Sequence, residues 1–335
     1  MQRESRFPSA LYQLLKFFTI KMIYTRRFYR IKVFQQLYGY FKEEKPNLMQ
    51  HESAMLKLID KTHELYIYIL SYVPEFVHFL EFELDSQRNK YIPNQKIISQ
   101  IEAFSNNKLL IGIANSDTLK AYIKHYKIKW NDTKEIHKQV WNLTKRIHGF
   151  EEYTSDHNHS FLTDKSIFSE WLQHLLVDAE LFASNTEDKY INWEDDQTMI
   201  ADALLKTLDK MKENQIDKAI MTNSLAPEAR QFMIDLIRKC VAHDEEYTQI
   251  ISTKIQNWDV ERIAVADMIM MKMALCEMLA FESIPVKVSI NEYLELAKLY
   301  STPQSHSFIN GILDKVQIDL RKQEKIVKTG RGLVE

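Results

Sequence analysis

Four cations, Arg26, Arg27, Arg30 and Lys32, crowd the first turns of the segment Thr25–Lys42, TRRFYRIKVFQQLYGYFK. In a helix started by Thr25 they sit where the dipole disfavours positive charge by about 0.3 kcal/mol or more each. Helix propensity gives no reason for them, whereas an external anion does, because a guanidinium pairs with phosphate through a fixed donor fork. A plainly solvated basic helix start is the alternative, and on the residues alone both stand. A second basic stretch, residues 120–148, holds eight Lys/Arg against two Asp/Glu, with Trp130 and Trp141 inside it. Charge interleaved with aromatic rings suits single-stranded nucleic acid. The tryptophan spacing, which places both rings on one helical face, suits burial equally well. After Leu320 the run RKQEKIVKTGRGLVE loses periodicity and reads as a flexible basic tail.

Other chemistry finds little support. His157 and His159 lie in a loop-like EYTSDHNHS run without the converging ligands a metal needs. Glu194, Asp195 and Asp196 with Asp202 lack partners for a two-metal centre, and an acidic first turn explains them more simply. Cys240 and Cys276 fall within apolar helical patterns and read as reduced core residues. There is no glycine-rich phosphate loop, nucleophile elbow or HExxH pattern. No enzyme, metal or cofactor is therefore expected. The stretch FPSALYQLLKFFTIKM carries Lys16 and Lys21 and lacks a small-residue cleavage site, so a cytoplasmic protein is expected, with no membrane association.

The elements that must position the basic residues are helices. The 335-residue chain has only six glycines and seven prolines, and its apolar residues recur at three and four. An all-α protein follows. Its net charge of -2 hides a basic start, because residues 1–45 carry ten Lys/Arg and three Asp/Glu. Residues 150–209 reverse the sign, with fourteen Asp/Glu and three Lys/Arg. The run Ile263–Phe281, IAVADMIMMKMALCEMLAF, is broken only by Asp267, Lys272 and Glu277. Their spacing of five spreads them round a helix, as polar exits from a helix wrapped by others. Downstream, Ser289 and Glu292 have the spacing of a capping box. Thr302 and Pro303 restart a helix whose stripe is Phe308, Ile309, Ile312, Leu313, Val316 and Leu320. Gly311 sits inside that helix at about 1 kcal/mol against alanine, which points to close approach by a neighbouring backbone. Upstream, Met49–Leu84 reads as one or two helices with a kink or break at Pro74, and Ile97–Ile111 as one.

NWDVERIAVADMIMMKMALCEM (Asn257–Met278), IPVKVSINEYLELAK (Ile284–Lys298) and SHSFINGILDK (Ser305–Lys315) together resemble the bacterial transcription antitermination factor NusB family. The resemblance covers roughly Ala229–Arg321, and the arginine-rich Thr25–Lys42 is similar to the family's first helix. It implies a NusB-like helical bundle carrying a long helical insertion. Residues 1–23 are then an extension, with Met22 a candidate native start; 24–42 the first helix; 43–225 an additional helical region containing or preceding further bundle helices; 226–321 the C-terminal bundle; and 322–335 the tail. The resemblance implies a non-enzymatic protein that pairs with ribosomal protein S10 (NusE) and binds single-stranded boxA RNA of ribosomal-RNA transcripts within a transcription elongation complex. Carried over by position, Arg26, Arg27, Arg30 and Lys32 are RNA candidates, as are Asp267, Lys272, Lys298 and Phe308. Lys272 stands where arginine is usual, Ser307 where lysine is frequent, and Cys276 where tyrosine is common. Asn291, Glu292, Asn310 and Gly311 match as structural positions. A different reading keeps the S10 contact without specific RNA recognition, as a protein-only interaction scaffold.

Overall fold

Thr25 opens the first helix, its hydroxyl accepting from the Phe28 amide at 3.2 Å and satisfying one of the donors a helix start leaves unpaired. The computed structural model describes residues 25–156, 158–223, 225–255 and 263–333. The extension before Tyr24 with its Met22 start, His157, and Asn257–Arg262 of the first resembling block lie outside the described residues. Helix α1 (Arg26–Lys42) buries Phe28, Val33, Phe34 and Leu37. Helix α2 (Leu48–Arg88) then runs through Pro74 without a break. The missing hydrogen bond and ring clash of an internal proline cost about 3 kcal/mol. Burial of Tyr72, Val73 and Phe76 around it offsets that cost.

The chain forms two compact units, one of residues 60–223 and one of residues 25–59 with 225–333. The boundary falls inside α2, well after residue 43, where the sequence carries no turn signal. Beyond α2 the first unit contains α3 (Gln95–Ser105), α4 (Lys108–Ala114), α5 (Asp117–Tyr126) and α6 (Lys134–Thr144). It continues with α7 (Phe150–Ser155), α8 (Phe161–Val177), α9 (Glu180–Lys189), α10 (Trp193–Lys210) and α11 (Ile216–Ala219). The single helix expected over Ile97–Ile111 is two, cut at Asn107. That side chain is fully buried, caps α4 through the Leu109 amide at 2.9 Å and donates to the Asp164 carbonyl at 2.9 Å. At Gly112 an added Cβ would lie 2.2 Å from Ile216 Cδ1, so glycine lets α4 touch α11. The acidic run Glu194–Asp196 does occupy the first turn of a helix, α10. The unit begins and ends at one place, because the Asn223 side-chain amide donates to the Asp60 carboxylate.

Its core is aromatic. Trp171 and Tyr72 have no exposed surface and lie with Phe76, Phe104, Phe168 and Phe182. The two tryptophans of the basic stretch do not share a helical face, since Trp130 precedes α6. Trp130 stacks on Tyr68 at 4.3 Å and donates to Ser71 Oγ, while Trp141 is buried beside Phe104 and Phe150. Both rings are therefore engaged in packing. His137 hydrogen-bonds the Tyr72 hydroxyl at 3.0 Å, and burial pushes its pKa down to about 4. The imidazole is neutral in the folded protein and charges near 6.5 when unfolded. Its contribution is full above about pH 6.5 and is lost as pH falls toward 4. Urea midpoints measured across that range should drop for the native protein and drop less for His137→Asn, which keeps an acceptor for Tyr72.

The second unit resumes with α12 (Pro227–Ala242) and α13 (Asp244–Ser252), followed by α14 (Val265–Ala280), α15 (Val286–Tyr300) and α16 (Pro303–Lys322). Pro227 and Pro303 occupy first turns, and Thr302 caps α16. Helix α14 is packed against α1, α12, α13, α15 and α16, and Met270, Met271, Met273, Leu275, Cys276 and Met278 have no exposed surface. The polar residues of α14 are not exits to solvent: Asp267, Lys272 and Glu277 are all buried. Helix α15 starts at Val286 after Pro285, so Ser289 lies inside it and no capping box forms with Glu292. Gly311 is exposed, with nothing within 4 Å of an added Cβ, so no backbone approaches it. The tail is packed rather than free. Lys328 Nζ donates to the carbonyls of Glu277 and Phe281 at 3.0 and 2.9 Å, satisfying acceptors at the end of α14. A Cβ at Gly332 would lie 1.8 Å from the Glu282 carbonyl oxygen.

Candidate nucleic-acid interface

The cations of α1 divide according to the face of the helix they occupy. Arg30 points inward, 1 % exposed, and pairs with both oxygens of Glu277 on α14, Nε to Oε1 at 2.7 Å and Nη2 to Oε2 at 2.8 Å. Tyr293 and Ser289, four apart on one face of α15, donate to the same carboxylate at 2.6 and 3.0 Å. Burial alone would lower the Arg30 pKa, but the Glu277 charge and hydrogen bonds outweigh it and hold the guanidinium above its ordinary value. Burial first, then the Glu277 charge, raise the Tyr293 phenol, which therefore remains a donor. The guanidinium also lies 5.6 Å from the Phe232 ring centre and 5.9 Å from that of Tyr293. The expectation that Arg30 meets phosphate is corrected here: its fork is spent inside the bundle. Lys32 is also withdrawn, 1 % exposed, with its ammonium 5.4 Å from the Phe28 ring centre.

Arg26 and Arg27 stay at the surface. Arg26 is exposed, its guanidinium 5.7 Å from the ring centre of Phe232. Arg27 donates to both oxygens of Glu292 at 3.0 Å and lies 3.9 Å from Glu295, and its pKa is raised chiefly by the Glu292 hydrogen bonds. Glu295 in turn pairs with exposed Lys298 one turn on. Arg27 and Lys298 thus both meet Glu295 on a carboxylate-lined surface of α1 and α15, while exposed Arg26 turns toward Phe232 on α12. Glu292, expected to tie its own helix start, instead holds Arg27.

The remaining candidates lie apart from that face. Asp267 is buried at the start of α14 and accepts from the Ser301 hydroxyl, which lies 2.9 Å from the Ser305 hydroxyl and can accept from it. Lys272 is buried, paired with Asp244 and 5.1 Å from the Phe41 ring centre. Phe308 is half-buried. Asn291, exposed, and Asn310, half-buried, line a groove of about 770 Å³ with Val286, Asp314 and Val327. The residues sequence reasoning missed are Glu277, Ser289, Tyr293, Phe232 and Glu295. A carboxylate set inside an apolar run was a visible signal for Glu277 as the partner of a buried cation. Among the described residues no His, Cys, Asp and Glu are grouped to hold a metal ion, and no helix is long and apolar enough to cross a membrane. What this surface offers an incoming group is charge and hydrogen-bond donors.

Residues 194–317 match the NusB family. The chain is 44% identical to the transcription antitermination protein NusB of Salinibacter ruber over 108 residues, 32% of this chain and 68% of that protein. It is 34% identical to the NusB of Chloroherpeton thalassium over 128 residues, 38% of this chain and 61% of that one. For the NusB of Halalkalibacterium halodurans the identity is 33% over 124 residues, 37% of this chain and 87% of that protein. A solved structure of T. maritima NusB is 28% identical, covering 37% of this chain and 87% of its own, with a TM-score of 0.29.

Proposed function

Since the chain belongs to the NusB family of transcription antitermination proteins, we propose that it binds single-stranded boxA RNA together with ribosomal protein S10 (NusE) in a transcription elongation complex, and acts there in the cytoplasm without catalysis. The observation that carries this reading is the pair of surface cations Arg27 and Lys298, which meet at Glu295, with exposed Arg26 next to Arg27 in the chain, on the bundle whose later helices match the family. Arg27 is already held in a bidentate geometry by Glu292, and a phosphate oxygen pair has the same shape. Its pairing is part-exposed and therefore weak enough to exchange. Asp267, Lys272 and Phe308 belong to the proposal only indirectly, Asp267 as a support at the start of α14 and Lys272 as a tie from its middle to Asp244 on α13.

A protein-only scaffold retaining the S10 contact is the second reading, favoured by the withdrawal of Arg30 and Lys32 and the carboxylates around Arg27. Titration with S10, then with boxA or scrambled RNA, separates the two. A stoichiometric S10 complex that prefers boxA is expected, and a complex indifferent to boxA would leave the scaffold. Arg26→Ala with Arg27→Ala should weaken RNA binding and shrink the salt slope by about 0.7 for each single-strand phosphate that is no longer neutralised. Glu295→Gln, which frees Arg27 and Lys298 of a competing charge, should strengthen RNA binding at low salt. No change in either variant would remove this face from the RNA site.

A further inference from the structure

The 60–223 unit carries a basic surface that the bundle's candidate interface does not include. Lys120, Lys124 and Lys127 stand at i, i+4 and i+7, so they line one exposed face of α5 and its C-terminal end. Lys129 and Lys134 follow, both exposed, and none of these five forms an ion pair among the described residues. Lys189 extends the group, its Nζ donating to the Lys129 carbonyl at 3.3 Å. The α5 dipole accounts for Lys124 but not for Lys134, which opposes the dipole at the start of α6. Lys127 is held at φ 54°, a backbone conformation that glycine adopts without strain, so its side chain is kept at a conformational cost. The neighbouring tryptophans are committed to packing, Trp130 on Tyr68 and Trp141 within the core. This surface therefore presents ammonium groups and no free ring on which a base could stack.

We propose that Lys120, Lys124, Lys127, Lys129 and Lys134 bind the phosphate backbone of single-stranded RNA without reading its sequence. The choice of RNA rests on the antitermination reading above. Ammonium groups are point-charge phosphate partners, and without a stacking platform the binding is governed by counterion release.

The test uses the full chain, a labelled oligouridine of about 30 nucleotides and a short boxA RNA with S10. The variant Lys120→Gln/Lys124→Gln/Lys127→Gln is compared with native protein after circular dichroism confirms its folding. Oligouridine affinity is expected to fall about tenfold or more near 0.1 M salt, with a salt slope smaller by about 2, from about 0.7 per neutralised phosphate over three lysines. Affinity for the short boxA RNA with S10 should stay within about twofold. Lys127→Gly supplies a second variant that relieves the backbone and should still weaken oligouridine binding. Unchanged oligouridine affinity in the folded variants overturns the proposal, as does loss of binding only to phosphatidylglycerol vesicles. Loss of oligouridine binding in a protein that never prefers boxA would uphold this surface and reject the boxA reading instead.

Discussion

Replacing Arg30 with alanine is expected to destabilise the bundle by about 3–5 kcal/mol, because it strands the Glu277 carboxylate in a site with no solvent access. Tyr293 and Ser289 would still donate to Glu277, but they carry no charge to balance it. Arg26→Ala with Arg27→Ala should cost less than about 1 kcal/mol, the range of exposed ion pairs. Urea unfolding of the three proteins, followed by hydrogen exchange in α1 and α14, measures the contrast. Equal, small losses would mean that the Arg30–Glu277 pair adds no more than a surface pair. The contrast also fixes how RNA-binding variants must be built. A triple replacement of Arg26, Arg27 and Arg30 would confuse a weakened RNA surface with an unfolded bundle.

Trp171→Ala should cost the 60–223 unit about 3–5 kcal/mol, the range for removing a fully buried large aromatic. The ring sits against Tyr72, Phe76, Phe104 and Phe168, so the void would be lined by side chains that cannot collapse into it without unpacking from their own neighbours. Trp171→Phe should cost much less. It keeps a ring in place and removes an indole nitrogen that has no hydrogen-bond partner among the described residues. Amide protection across residues 60–223 would report both variants. Equal costs for the two would show that ring packing is not what holds this core.

The sequence made the late bundle readable because its signals are local. Thr302–Pro303 and Pro227 start helices where the chain says they should, and the apolar run of α14 admits no surface placement. The Arg30 assignment failed for the opposite reason. Weighing α1's cations against α1's own dipole omits a carboxylate 247 residues away, and only the tertiary structure supplies it. Ser289 was misread for a related reason: its spacing to Glu292 suggested a cap on its own helix, whereas its partner Glu277 lies on the preceding helix. Asn107 is a different case. Its cap signal was present, but the apolar period continues across it on both sides and concealed the break. The boundary between the two compact units was unreadable because it lies within α2, where no turn residue is needed.

The bond between Asn223 and Asp60 bears on the order in which this protein can be made. During synthesis at about 5–20 residues per second, α1 waits roughly 12–50 seconds for Glu277 to be added. Throughout that interval its apolar stripe and Arg30 lack their partners. The intervening unit has its own core and can fold first, which joins residues 163 apart and shortens the effective tether between α1 and α14 to about a third. Because loop closure depends only logarithmically on length, the saving is about 1 kcal/mol. The intervening unit thus burdens the bundle with delay far more than with entropy, and the exposed stripe of α1 during that delay is where a ribosome-bound chain would most need a chaperone.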